Sequence, residues 1–164
     1  MIISCSDKPK KANPDTNNTL PKAQIQIQEL INEFKSSVKD VKDLKLKDSI
    51  RIQYSVRIFD LLSSIYLDSI KVHIDTVVID NLTVTTKSHC NNEIVFSGSL
   101  TFFKKMDPRA DSFFIFMKGL QPGADTTVNF IYNGSHKLRV PSNTGEPILE
   151  ISAFPAPIWM LPKN

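Results

Sequence analysis

The side chains best placed to do chemistry in this sequence are three histidines, one nearby aspartate and one cysteine. His73 and Asp75 are two residues apart, so on a strand they share a face. An imidazole beside a carboxylate suits an oriented general base or one edge of a metal site, and equally a plain cross-strand surface pair. His136 is the third candidate for such a site, which would make the chain a soluble β-domain with small-ligand-binding or hydrolytic activity near His73, Asp75 and His136. His89 and Cys90 are adjacent, too close for usual ligand spacing. A thiol beside an imidazole becomes a nucleophile when a third group orients the pair, and the sequence names none.

The motifs that normally carry catalysis are missing. There is no GxSxG elbow, HExxH helix, CxxC pair or EF-hand loop. All five glycines fall at or after Gly98, which removes an early glycine-rich phosphate loop and with it a Rossmann or P-loop nucleotide site. Neither Cys5 nor Cys90 has a second thiol within a few residues, so no zinc pattern is formed. The expectation is a protein without catalytic residues, cofactor or metal. Charge excludes a further class. Residues 1–53 hold ten Lys/Arg against seven Asp/Glu, whereas residues 54–164 hold ten of each, so the net charge of +3 belongs to the N-terminal part. A nucleic-acid-binding domain concentrates basic residues on its folded face, and no nucleic-acid partner is expected here.

The elements that must position these residues follow from periodicity. Residues 1–20 are polar, with Pro9 and Pro14 among asparagines, and read as a disordered tether. Ile27, Ile31, Phe34, Val38 and Val41 recur at spacings of four and three, which predicts an amphipathic helix over residues 22–44 with its lysine-rich rear face in solvent. From Ser49 the period shifts to two, with Ile50, Ile52, Tyr54, Val56 and Ile58 alternating with polar residues, and this predicts a strand. Further strands are expected at 70–79, 82–86, 94–103, 112–117, 126–132, 137–140 and 148–154, with Asn133-Gly134 as a two-residue hairpin turn. The expected fold is therefore α+β and mainly β: one domain over 21–164, with the helix leading into an antiparallel sandwich of seven or eight strands over 49–154.

Six of the ten phenylalanines lie between residues 96 and 116. Adjacent aromatics on a strand face opposite ways, so Phe102/Phe103 and Phe113/Phe114 cannot all enter one core, and some of this surface must be covered by the helix, a partner or lipid. Residues 155–164 are apolar and broken by proline, excluding a central strand. They are expected to lie extended over the core, with Trp159 as anchor. Phe102, Phe103, Phe113 and Trp159 are the candidate partner-binding residues.

Read from the residues alone, Met1–Lys11 is a polar terminus carrying a thiol. Ile2-Ile3-Ser4-Cys5 resembles the processing site of bacterial lipoproteins, in which small or aliphatic residues precede a cysteine that becomes diacylated. The resemblance covers about five residues and implies lipidation of Cys5, a membrane anchor in the bacterial envelope, and, with Ser6 after the cysteine, the outer membrane, facing the periplasm or cell surface. Acyl chains contribute about 0.8 kcal/mol per buried CH₂, and residues 6–19 would then be a solvated spacer. The sequence reading is a membrane-anchored, non-enzymatic module that binds or scaffolds a protein partner of the envelope, as in a secretion or surface assembly.

Overall fold

The computed structural model describes residues 20–102, 110–140 and 145–160. Two long helices, α1 (Lys22–Val38) and α2 (Leu44–Ser64), precede the strands β1 (Leu67–Asp80), β2 (Thr83–His89) and β3 (Ile94–Thr101). A third helix, α3 (Ala110–Gly119), comes before β4 (Asp125–Arg139) and β5 (Ile148–Ala156), and a short 3₁₀ turn spans Ile158–Met160. The five strands close into a barrel in the order β1-β2-β3-β5-β4. Every neighbouring pair is antiparallel except β3 with β5.

The expected antiparallel sandwich of seven or eight strands is thus incorrect, and two misread periods and one misread turn account for the difference. Ile50–Ile58 lies inside α2. The alternation there coexists with a fourfold spacing, Ile50, Tyr54, Ile58 and Leu62, and it is this set that packs on the core. Ile52 and Val56, the other half of the alternation, remain 53% and 56% exposed. The helix is started by Asp43, whose carboxylate accepts from the backbone N–H of Lys45 (2.8 Å) and Leu46 (3.4 Å). This break also ends the predicted helix 22–44 early, and Val41 lies between the two helices.

Residues 112–117 are likewise helical, within α3. Ala110, Phe113 and Met117 follow at three and four and are buried, while Ile115 points outward. The conflict over adjacent phenylalanines is resolved by the helix, since Phe113 is buried and Phe114 and Phe116 pack beside it. Asn133-Gly134, expected as a hairpin, is instead a kink inside one continuous strand. The β4–β5 register shifts between Tyr132 and Ser135, and Gly134 has φ +85°. The two strands expected at 126–132 and 137–140 are both part of β4.

Closure follows from strand length. β1 and β4, at 14 and 15 residues, are long enough for each to pair with two neighbours along successive halves. A closed barrel leaves no open edge to aggregate. At Gly98 the β3 backbone passes so near β5 that a Cβ would overlap the Ala153 carbonyl, so glycine is required at this seam. β5 also continues through Pro155 to Ala156, past the end expected for the last strand at residue 154. Pro155 pairs with Phe130 past the last β3 partner, Ser152, where one ladder suffices.

Two apolar clusters fill the structure. The larger joins Ile27, Ile31 and Phe34 of α1 and Ile58 and Leu62 of α2 to the barrel interior, where Phe96 and Phe130 stack at 4.4 Å. The smaller lies under α3, around Phe102, Phe113 and Met117.

Candidate functional site

A concavity opens where the α1–α2 hairpin turns beside the end of β4. It is a cleft of about 860 Å³, within the range of ligand sites. α1 contributes Phe34, Lys35 and Val38, its C-cap contributes Lys39, and α2 contributes Leu44, Lys47, Asp48 and Arg51. Residues Lys137–Val140 and Gly145–Pro147 form the opposite wall. Phe34 and Leu138 are buried at its base because they face the core from α1 and β4.

Six cations line this cleft against two carboxylates, Asp48 and Glu146. Some are already engaged. Lys35 is held between Glu93 and Glu146 (3.1 Å), and these hydrogen bonds, that from Glu93 first, push its pKa up. Burial alone would raise Glu93, but hydrogen bonds from Lys35 and Gln28 outweigh it and hold the carboxyl below its usual value. Arg51 pairs with Asp48 at 2.6 Å, and Arg139 pairs with Glu150. Lys39, Lys47 and Lys137 have no carboxylate partner among the described residues. The cleft therefore presents free positive charge around an apolar base.

The histidines divide into two environments. His73 and His89 are cross-strand partners on β1 and β2, with rings 5.1 Å apart. The Nδ1 of His73 lies 2.8 Å from Asp125 Oδ1, and that of His89 lies 2.8 Å from Asp75 Oδ1. The expected His73–Asp75 pair is thus brought into one cluster but not into direct contact: a register shift between Ile74 and Thr76 accompanies the pairing of Asp75 with His89, while His73 takes Asp125 from β4. His136 is not with them. Its Nε2 meets Ser55 Oγ of α2 at 2.9 Å and its Nδ1 meets Tyr132 OH at 3.2 Å, beneath Phe59. Burial lowers its pKa, against the opposing effect of a hydrogen bond to the Ser55 backbone. Cys90 borders the His73–His89 depression, but burial pushes its pKa to about 12, so the thiol is protonated and inert.

The aromatic candidates are differently placed. Phe102 and Phe113 are buried against each other, with ring centres 4.7 Å apart, and present no surface to a partner. Trp159 is 44% exposed on the 3₁₀ turn beside a more exposed Ile158. Cys5 and Phe103 lie outside the described residues. The cleft was missed because its lysines come from segments 90 residues apart, and the α1 lysines read as a solvated rear face. Among the described residues no helix is long and apolar enough to cross a membrane, and no group of three His, Cys, Asp or Glu could hold a metal ion. Comparisons with protein-family models, curated proteins and solved structures find no match for this chain.

Proposed function

We propose that this chain is a non-enzymatic binding module of the bacterial envelope, tethered to the membrane through an acylated Cys5, whose hairpin cleft takes an acidic segment of a partner protein. The observation that carries the reading is the set of unpaired lysines, Lys39, Lys47 and Lys137, around an apolar base. Carboxylates on the partner match the rim and an apolar side chain fills the base, while a basic partner is repelled. Such complementarity sets specificity and association rate more than raw affinity.

Two observations support binding over catalysis. Among the described residues the cleft lining includes neither histidine nor cysteine, and Asp48 and Glu146 are both engaged by cations. The Ser55–His136 contact has the spacing of a nucleophile and base, but Nδ1 faces a tyrosine hydroxyl instead of a carboxylate. By architecture alone, a five-stranded closed barrel belongs with the OB plan, which binds oligonucleotides and oligosaccharides on the face of strands 2 and 3. Here the outer face of β2 and β3 is a hydroxyl ladder, with Thr83 against Thr101 at 2.9 Å and Thr85 against Ser99 at 3.2 Å. It presents no exposed Phe, Tyr or Trp ring for a base to stack on, only the His89 imidazole held by Asp75, which favours the cleft.

The test is fluorescence anisotropy of a labelled peptide built from Glu and Leu, titrated with the full chain. Saturable binding that weakens with added salt is expected. The K39E/K47E/K137E variant should lose at least about tenfold in affinity, or 1.4 kcal/mol. Equal binding by that variant, or preference for a basic peptide of the same length, overturns the cleft assignment. For the tether, mass spectrometry of the protein expressed from its full native gene should find acyl chains on Cys5, and an unmodified thiol removes the anchor.

A further inference from the structure

The cluster on β1 and β2 is separate from the cleft and has its own chemistry. We propose that His73 and His89 form a site for a borderline transition-metal dication, such as Cu²⁺, Ni²⁺ or Zn²⁺, bound through the two Nε2 atoms.

Three features point to this ligand class. First, each Nδ1 is 2.8 Å from a carboxylate oxygen, that of Asp125 or Asp75. With the proton on Nδ1, donated to the carboxylate, Nε2 keeps its lone pair for a ligand, which is how metal-ligating imidazoles are oriented and made more basic. Second, neither Nε2 has a hydrogen-bond partner among the described residues, unlike His136, whose two nitrogens are both engaged. Third, the rings are 5.1 Å apart. Two imidazoles at about 2.0–2.1 Å from a shared tetrahedral ion have ring centres roughly 5 Å apart, so the ring separation set by the strand register is compatible with a shared ion. The side chains are 38% and 33% exposed, and the depression beside them is open to solvent, so an ion has access. With two protein ligands, the remaining coordination positions go to water or to donors on a bound molecule. Imidazole nitrogen selects copper, nickel and zinc over magnesium and calcium.

The experiment is isothermal titration of the full chain carrying Cys5→Ser, which removes the competing N-terminal thiol, with NiCl₂, ZnCl₂, CuCl₂ and MgCl₂. One ion per chain is expected, tightest for copper and absent for magnesium. H73Q and H89Q should each abolish binding, and H136Q should keep it. D75N and D125N retain both imidazoles and should weaken binding by about 10–100-fold at unchanged stoichiometry. Melting of each variant without metal separates a lost site from a lost fold. Paramagnetic broadening by Cu²⁺ should fall on the His73 and His89 ring signals. Unchanged binding in both H73Q and H89Q, or broadening centred on His136, overturns the proposal.

Discussion

At one mouth of the barrel, α1 and α2 lay Ile27, Ile31, Phe34, Ile58 and Leu62 over the starts of β1 and β3; at the other, α3 lays Phe113 and Met117 over Ile79, Val84 and Phe102. Both helical caps bury an open end of a sheet that has no second sheet to cover it. They differ in length. α1 and α2, with 17 and 21 residues, run about 26 and 32 Å, roughly twice the 15 Å of the ten-residue α3. The hairpin therefore reaches the β4–β5 rim with polar residues to spare, and its lysines meet those of β4 in the cleft. α3 is consumed by the contact it makes. A cap that only closes a barrel is apolar and short, whereas one that also builds a site must overhang.

The strongest challenge to this contrast is to weaken each cap separately. Phe113→Ala should cost about 3–5 kcal/mol and Ile31→Ala about 2–5 kcal/mol in urea unfolding, large parts of a total of about 5–15 kcal/mol. If the caps are independent, the milder pair Phe113→Leu and Ile31→Val should add within about 0.5 kcal/mol, and a larger coupling would show one continuous core. Next in size is charge reversal. Lys118→Glu on α3 should leave the affinity for the acidic peptide unchanged, whereas Lys39→Glu with Lys137→Glu should lower it at least about threefold with little change in melting temperature. An equal loss at both ends would mean that the peptide reads net charge and not a cleft.

Those caps also mark where the sequence was legible. The α1 stripe of Ile27, Ile31 and Phe34 has a single period and packs as expected, and β1, β2, β3 and β5 lie on the alternating runs that signal them. α2 was misread because its apolar residues satisfy both a twofold and a fourfold spacing, so the core had to choose between them. α3 was misread because a run of five apolar residues, Phe113–Met117, has no period of its own. His73 and Asp75 were visible as a pair. Their actual partners, Asp125 and His89, depend on strand register and a local shift that no local spacing encodes. The cleft is hidden for the same reason, because α1 and β4 are adjacent only after closure.

A smaller effect tests whether the hairpin is built by local signals or by the barrel beneath it. Asp43 caps α2 from solvent, so Asp43→Ala should cost about 1 kcal/mol and leave peptide binding intact. A loss of binding as well would show that the cap also orients Lys47.

The smallest effect concerns His136, where α2 meets β4. Burial holds its folded pKa below the ordinary 6.5, so the folded protein resists a proton that the unfolded chain accepts. Its contribution is fully present above about pH 6.5 and is lost as pH falls through the folded value. The melting temperature should accordingly drop between pH 7 and pH 5, and His136→Gln should flatten that drop while keeping a hydrogen-bonding side chain near Ser55. Glu93 behaves in the same direction but at lower pH, because its folded value lies below 4.5. The two are therefore separable: a drop that begins only below pH 4.5 belongs to the Lys35–Glu93 contact on α1, and one that begins near pH 6.5 belongs to α2. A profile that H136Q leaves unchanged would move the acid sensitivity of the hairpin away from the α2–β4 contact.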